Sequence, residues 1–263
     1  VLPSIRAQAT PRPSPRFRIP SVPTAEQIAA YRRDGFVRLP GLLSRDEALG
    51  FRADAEAHLA AHPPVAETAI FDQHVDVWRS DPAMARLTRH PAISAAAVAL
   101  AGVPLRLWHD QILAKRPGTS RATEFHQDQP YWPHANSAHP ISCWIALGDV
   151  PVESGCMTFL PGSQTRTDLP MQNLGDDRSL MEICPDLVWA DRVTLPMRAG
   201  DATFHHGRCA HMATPNVGRD VRIAHVVIFV DADVVYTGAP HVVTDGLGIA
   251  VGAGLPNERF PLA

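Results

Sequence analysis

The pattern of apolar and polar positions is helical in the first hundred residues. Thr24 with Gln27, and Ser44 with Glu47, each have the spacing of a capping box, which marks the start of a helix. Gly35 supplies a stop signal for the first of these helices. The pattern predicts a helix between Thr24 and Gly35, a strand at Phe36–Leu39, a helix from Ser44 to about Ala61 and two short helices within Asp81–Ala101.

From Leu105 onward the apolar runs are short and are separated by Gly, Pro and Asn. Many short strands with turns between them are typical of a sandwich or barrel, so the chain is predicted to be mainly β with N-terminal helices, an α+β fold. Residues 165–191 are polar, contain proline and have no clear period, and loops of this length are usually functional, so we predict a lid. The strand candidates are Leu105–Lys115, Ile141–Leu147, Cys156–Leu160, Val193–Met197, Asp201–His206 and Ile223–Tyr236.

Composition narrows the class of protein. The formal net charge of −3 lacks the Lys/Arg excess that nucleic-acid binding needs, so no nucleic-acid partner is predicted. No apolar run approaches the roughly 18 residues of a membrane span, so no membrane association is predicted. Four cysteines without CxxC spacing indicate free thiols and a cytoplasmic location. These cysteines are Cys143, Cys156, Cys184 and Cys209.

The first 23 residues differ from the rest. They contain six prolines, four arginines and no acidic residue, and they lack the apolar core of a signal peptide. We predict an extended arm at 1–23. Residues 24–263 are predicted to form a single domain, present as a monomer or homodimer and acting on a small molecule.

His126 and Asp128 are the first candidates for chemistry. They are two residues apart, so on a strand their side chains project to the same face. A histidine and a carboxylate on one face are two thirds of the 2-His-1-carboxylate triad that binds non-haem Fe(II). Such a pair often occurs by chance, and a third ligand is needed.

The third ligand is sought in a later histidine-rich segment. His205, His206 and His211 are all candidates, and strand alternation turns one of the adjacent pair inward, where it either packs or supports a ligand. Arg222 follows His211 by eleven residues. Its guanidinium suits the far carboxylate of a dicarboxylate co-substrate, because guanidinium binds carboxylate bidentately.

A series of motifs runs from about Glu26 to the C-terminus. They are Tyr31–Val37, Gln111–Lys115, His126–Asp128 with Tyr131 and Trp132, Cys143–Leu147, Glu153–Ser163, Gly200–Asp201, and His211 with Asn216 and Arg222. In order and spacing the chain resembles the phytanoyl-CoA dioxygenase-like (PhyH) family of Fe(II)/2-oxoglutarate-dependent oxygenases. The resemblance implies a double-stranded β-helix, or jelly-roll, with the N-terminal helices packed on one side.

The resemblance also implies roles for individual residues. His126, Asp128 and His211 match the iron ligands, O2 is the oxidant, and Arg222 matches the arginine that binds 2-oxoglutarate. The further co-substrate contacts implied are Gln111, Trp144 and His74, and the substrate-binding candidates are Tyr131, Trp132 and His134.

For some of these residues a purely structural role is the alternative to a role in the site. Trp132 and Trp144 are alternatively core residues, and His134 is alternatively a solvated loop histidine. His90, His139 and His241 are expected to be surface or capping residues. Lys115 is the one lysine of the chain, and a structural salt bridge explains it as well as a functional role does.

The predicted function is therefore hydroxylation of a small molecule, as in the tailoring of secondary metabolites, with 2-oxoglutarate converted to succinate. Desaturation, epimerisation or ring closure with the same cofactors is the alternative. A cupin-like metal enzyme without 2-oxoglutarate would not need Arg222, and a non-catalytic module would be expected to have lost a ligand.

Overall fold

The computed structural model describes residues 22–63 and 70–263. All but the last two residues of the predicted arm lie outside this part of the chain. Within it, no helix is both long and apolar enough to cross a membrane. All four cysteines are buried free thiols, as predicted.

The helices begin where the capping boxes predict. Thr24 and Ser44 accept hydrogen bonds from the backbone N–H groups of Gln27 and Glu47, and Gly35 adopts the left-handed conformation, with φ of 82°, that ends the first helix. The helices are α1 (Ala25–Asp34), α2 (Arg45–Ala61), α3 (Pro82–Thr88), α4 (Pro91–Ala101) and α5 (Ser179–Ile183).

The strands number twelve in the described residues. They are β1 (Phe36–Leu39), β2 (Asp72–Val75), β3 (Leu105–Lys115), β4 (Thr123–His126), β5 (His134–Ala135), β6 (Ile141–Ala146), β7 (Met157–Phe159), β8 (Val193–Leu195), β9 (Ala202–His206), β10 (His211–Ala213), β11 (Arg222–Asp231) and β12 (Val235–Tyr236). The prediction of one strand over Ile223–Tyr236 is wrong, because a turn after Asp231 separates β11 from β12. The short strands β2, β4, β5 and β10 escaped prediction because they carry no clear apolar alternation.

Two antiparallel sheets form the body of the fold. The larger has the order β1-β9-β6-β11-β3-β2 and the smaller the order β4-β10-β7-β8, with β12 and β5 paired separately. One face of the larger sheet packs against α1–α4, and the other faces the smaller sheet. This is the predicted double-stranded β-helix with helices on one side.

A bulge interrupts the pairing of β3 with β11. His109 pairs with Ile228 and Leu107 pairs with Phe229, so that Trp108 is an extra residue. Leu107 lies in the apolar cluster beneath the helices, whereas Trp108 lies in the cluster between the sheets. A bulge re-aims the side chains that follow it, and here it turns both Trp108 and His109 away from the helices.

The segment 165–191 is more structured than the sequence predicted, since it contains α5. Its apolar side chains, which include Leu180 and Leu187, cluster with Phe125 of β4. The side-chain oxygen of Gln172 accepts a hydrogen bond of 2.8 Å from the backbone N–H of Gln127. The segment therefore packs beside β4, and its role as a lid stays a prediction.

A buried polar chain joins the larger sheet to α3. The Thr88 hydroxyl accepts from Nε2 of His225 at 2.8 Å and donates to Asp110 at 2.8 Å. The Asp110 carboxylate also accepts from the backbone N–H of Trp78 at 3.0 Å. Burial lowers the pKa of His225 to about 3, so its imidazole is neutral. The Thr88 hydroxyl thus bonds to two fully buried side chains, those of Asp110 and His225.

We expect Thr88→Val to lower the free energy of unfolding by about 1–3 kcal/mol, because it leaves buried polar groups on Asp110 and His225 without their partner. Thr203→Val is the matched control, since the Thr203 hydroxyl is equally buried but has no hydrogen-bond partner among the described residues. Urea denaturation of both variants measures the difference. Equal losses of stability would contradict the proposed strength of the Thr88 bridge.

Candidate active site

The pairing of β4 with β10 brings two histidines together. His126 and His211 are directly opposite each other in the register, and their ring centroids are 4.3 Å apart. Oδ1 of Asp128 lies 3.4 Å from Nε2 of His126 and 3.7 Å from Nε2 of His211. One candidate ligand atom from each residue lies within 4.8 Å of the other two.

Asp128 reaches this position by a different route from the one predicted. Strand β4 ends at His126, and Asp128 has helical backbone angles, φ −73° and ψ −43°, at the start of a single 3₁₀ turn, Gln129–Tyr131. The prediction that a shared strand places both side chains on one face is therefore wrong. The Asp128 side chain makes no capping hydrogen bond and is turned towards the histidines instead.

The backbone fixes the tautomers of both histidines. Nδ1 of His126 donates to the carbonyl of Glu124 at 2.7 Å, and Nδ1 of His211 donates to the carbonyl of Cys209 at 2.9 Å. Since a carbonyl only accepts, the proton of each ring is on Nδ1 and the lone pair on Nε2 faces Asp128. Ligating histidines in metalloproteins are held in this way.

The charge state also suits a divalent cation. Burial lowers the pKa of His211 to about 3, so its imidazole is neutral and its Nε2 is a donor atom. The pKa of Asp128 lies well below its usual value: burial opposes this, and the surrounding His211, His126 and His205 outweigh burial. Two imidazoles and a carboxylate are a ligand set for non-haem iron.

His205 and Ser142 contact the other oxygen of the carboxylate. Nε2 of His205 lies 3.4 Å from Oδ2 of Asp128, and the Ser142 hydroxyl donates to the same atom at 3.2 Å. His206 faces away and donates from Nε2 to the carbonyl of Ala138. Of His205 and His206, His205 is therefore the one that faces inward, and it contacts the carboxylate of Asp128. Among the described residues, only His126, Asp128 and His211 converge as a metal-binding set.

Arg222, the first residue of β11, is a second charged residue of the site besides Asp128. It is 4% exposed, its guanidinium carbon is 5.3 Å from the centroid of the Trp144 ring, and its Nε and Nη1 atoms have no hydrogen-bond partner in the described part of the chain. Burial lowers the pKa of Arg222 to about 10, so it is still a cation at neutral pH. An unpaired buried cation is costly, and an anion such as a carboxylate would offset the cost.

Lys115, opposite Arg222 on β3, is not a second anion-binding group. Its ammonium donates to three backbone carbonyls, those of Arg121, Ala213 and Thr214, at 2.7–3.1 Å. Lys115 forms no salt bridge with any described residue, so the salt-bridge explanation is wrong. Burial and the nearby Arg222 lower the pKa of Lys115 to about 7.

A cavity of about 260 Å³ between the two sheets connects these groups. Gln111 and Trp144 both pair with Val226 of β11, so they lie between Arg222 at one end of that strand and Ile228 nearer the other. The residues of the predicted site that line the cavity are His126, Asp128, His211, Arg222, Gln111, Trp144, Tyr131 and Trp132.

Two predicted site residues lie outside the cavity wall. His74 packs edge-on against His58, with ring centroids 5.2 Å apart, whereas its neighbour Gln73 lines the cavity and donates to Gln111 at 3.0 Å. The two-residue alternation of β2 explains why only one of them faces inward. His134 packs against Trp108, at 4.1 Å between ring centroids, and is not a lining residue.

Sequence reasoning missed two lining histidines, His109 and His241. His109 lies two residues before Gln111 on the same strand, and alternation from Gln111 was the available signal. His241 was expected to be a surface or capping residue. Its Nδ1 does accept from the backbone N–H of Val243, but its ring also faces the cavity.

Comparisons with known proteins agree with this geometry. Residues 31–224 match the sequence profile of "Phytanoyl-CoA dioxygenase (PhyH)". The peroxisomal phytanoyl-CoA dioxygenase of Mus musculus is 25% identical over 227 residues, which cover 78% of this chain and 67% of the mouse protein. L-Proline trans-4-hydroxylase of Streptomyces griseoviridis is 27% identical over 154 residues, covering 55% of this chain and 56% of that protein. The chain thus spans only about half to two thirds of these curated relatives.

Solved structures match over almost the whole chain. The non-haem α-ketoglutarate-dependent carbocyclase SnoK from nogalamycin biosynthesis has a TM-score of 0.83 and 37% identity, covering 91% of this chain and 96% of SnoK. The epimerase SnoN, crystallised with Fe³⁺, α-ketoglutarate (2-oxoglutarate) and nogalamycin RO, has a TM-score of 0.78 and 36% identity, covering 90% of this chain and 97% of SnoN.

These matches and the cavity agree on the cofactors. The convergent His126, Asp128 and His211 suit iron, and the unpaired Arg222 suits a carboxylate of 2-oxoglutarate. A cupin-like enzyme without 2-oxoglutarate would leave that buried cation unexplained. Family profile, solved structures and cavity chemistry together establish that the chain belongs to the phytanoyl-CoA dioxygenase (PhyH) family and is a non-haem Fe(II)- and 2-oxoglutarate-dependent dioxygenase.

Proposed function

We propose that this enzyme oxidises a C–H bond of a small secondary metabolite, with His126, Asp128 and His211 holding the iron and Arg222 binding 2-oxoglutarate. The observation that carries the proposal is that both groups line one cavity, the first as a convergent ligand set and the second as a buried cation with no ion-pair partner among residues 22–63 and 70–263. Either group alone has a structural explanation, whereas the combination matches the two charged ends of an iron-bound dicarboxylate.

The protein residues bind and orient the reactants. Iron bound with 2-oxoglutarate and O2 supplies the oxidising power, and the protein supplies geometry and a shielded cavity. Nδ1 of His126 and of His211 is fixed by backbone carbonyls, so each Nε2 keeps its direction. Ser142 and His205 hold Oδ2 of Asp128, which leaves Oδ1 to face the histidines.

Gln111 and Trp144 are proposed to contact the co-substrate between the two charged ends. Both pair with Val226, and the Trp144 ring lies 5.3 Å from the guanidinium carbon of Arg222. A cation over an aromatic face is attracted to it, so Trp144 also fixes the direction of the guanidinium. Tyr131 and Trp132, beyond Asp128 in the chain, are proposed as substrate contacts.

The outcome of the oxidation is proposed to be hydroxylation, with ring closure or epimerisation as the second candidate. The second candidate is favoured by SnoK, a carbocyclase, and SnoN, an epimerase, which share 37% and 36% identity with this chain. The three outcomes differ in mass, since hydroxylation adds one oxygen, ring closure removes two hydrogens and epimerisation changes nothing.

A substrate screen tests this proposal. Purified enzyme with Fe(II), 2-oxoglutarate and ascorbate is mixed with nogalamycin and related compounds, acyl-CoA esters and free amino acids, and succinate is measured with product mass. Substrate-dependent succinate with a nogalamycin-related compound supports a role in secondary metabolism. Turnover of only acyl-CoA or only amino acids would contradict that role while leaving the cofactor assignment intact.

We expect anaerobic mixing of the enzyme with Fe(II) and 2-oxoglutarate to produce the weak visible charge-transfer band of a bidentate iron–2-oxoglutarate chelate. His126, Asp128 and His211 would hold the iron with three ligand atoms, and a metal with three protein ligands could also take a chelating co-substrate. Absorption spectroscopy under argon measures the band, with succinate as the control ligand. No band at saturating iron and co-substrate would refute the assigned site.

We expect Arg222→Ala to weaken binding of 2-oxoglutarate by about 10- to 150-fold, since hydrogen bonds to charged groups contribute about 1.5–3 kcal/mol. Iron binding should change little, because Arg222 is not a ligand. Arg219→Ala is the control, as Arg219 is exposed and three residues away on the same segment. Titration of the chelate band measures both, and similar losses in the two variants would show that the wrong arginine was chosen.

A further inference from the structure

His109 lies in the cavity wall at the level of the metal ligands. It pairs with Ile228 of β11, Ile228 pairs with Ser142 of β6, and Ser142 donates to the carboxylate of Asp128. Arg222 is six residues from Ile228 along β11, and Val226, which pairs with Gln111 and Trp144, lies between them. His109 is therefore displaced along the sheet from the proposed binding group of the co-substrate, towards the part of the cavity where Ser142 contacts Asp128.

The tautomer of His109 determines what it offers to a ligand. Nδ1 lies 3.2 Å from the carbonyl of Asp110 and must donate to it, so the lone pair is on Nε2. The side chain is only 1% exposed, and Nε2 has no hydrogen-bond partner among the described residues. Burial lowers the pKa of His109 to about 3, so the ring is neutral. The cavity wall thus presents a buried, uncharged acceptor.

His241 presents the complementary group. Its ring centroid is 5.7 Å from that of His109, and both residues line the cavity. Nδ1 of His241 accepts from the backbone N–H of Val243 at 3.2 Å, so in the neutral ring the proton is on Nε2. Burial lowers the pKa of His241, which favours that neutral form. An acceptor and a donor therefore stand side by side.

A hydroxyl group is the small polar group that satisfies both, because it donates and accepts through one oxygen. A carboxylate or phosphate oxygen only accepts, and it would face the lone pair of His109. Arg222 is the one Lys or Arg side chain among the described residues that line the cavity, and the proposed function assigns it to 2-oxoglutarate.

From this pair we infer that His109 and His241 bind a hydroxyl group of the substrate, and that the substrate is an uncharged alcohol or phenol at this end. The inference rests on the proposed function, since it requires the substrate to enter the cavity of the metal ligands. Tyr131 and Trp132 supply aromatic surface in the same cavity, which suits a ring-bearing body. A hydroxyl held by His109 would place a neighbouring carbon close to the metal.

Binding of three matched probes tests the inference. A naphthol, its methyl ether and naphthoate are titrated by calorimetry into the anaerobic enzyme loaded with Fe(II) and 2-oxoglutarate. We expect the naphthol to bind about 2- to 12-fold more tightly than the ether, as one neutral hydrogen bond allows, and naphthoate to bind most weakly. His109→Phe keeps a planar ring without the acceptor and should make the naphthol and the ether equal.

His134→Phe is the matched control, because His109 and His134 both pack against Trp108, at 5.6 and 4.1 Å between ring centroids, but His134 does not line the cavity. It should keep the preference for the naphthol. A preference that survives His109→Phe, or that is absent from the native enzyme, would overturn the inference. The chelate band is recorded in the same samples, so that a band without any preference refutes only the hydroxyl site, whereas the absence of a band refutes the proposed function itself.

Discussion

The antiparallel pairing of β4 with β10 is the constraint on which the site depends. It sets His126 opposite His211, and the backbone carbonyl two residues before each histidine fixes the proton of its ring. Asp128 then needs only to turn back at the end of β4 to complete the set. Lys115 ties the far end of β10 to β3 through the carbonyls of Ala213 and Thr214, so the small sheet is held against the sheet that carries Arg222.

Charge is distributed unevenly along the cavity. One end holds a carboxylate with three histidines around it, and the other end holds Arg222, whose Nε and Nη1 atoms have no hydrogen-bond partner among the described residues. With a divalent cation held at the first end, both ends would attract negative charge, and the attraction is strong in a medium of low dielectric constant. The polar residues that line the cavity between them include Gln111 and Thr123, which carry no charge, so the proposed dicarboxylate would be recognised by its two ends and the proposed substrate by shape and hydrogen bonding.

The parts of the fold that follow local rules were predictable from sequence. Capping boxes placed α1 and α2, and a strand-like run bounded by Pro104 and Pro117 placed β3 to the residue. Strand β10, only three residues long, exists because of its partners, and no local signal marks it. Asp128 does converge with His126 and His211, but its backbone conformation was not predictable from a two-residue spacing. The choice between Gln73 and His74 depends on the register of β2, which is likewise a non-local property.

The extra residue in β3 separates two functions that a regular strand would couple. In a strand without a bulge, a shift of one residue moves every side chain to the opposite face of the sheet. The two ends of such a strand cannot change independently. Trp108 is the extra residue, so the inward and outward side chains alternate in one phase at Leu105–Leu107 and in the opposite phase at His109–Lys115. Leu105 and Leu107 therefore still pack beneath the helices. Evolution could therefore revise the substrate-facing wall by moving or removing this one residue, without disturbing the strands that carry the metal ligands.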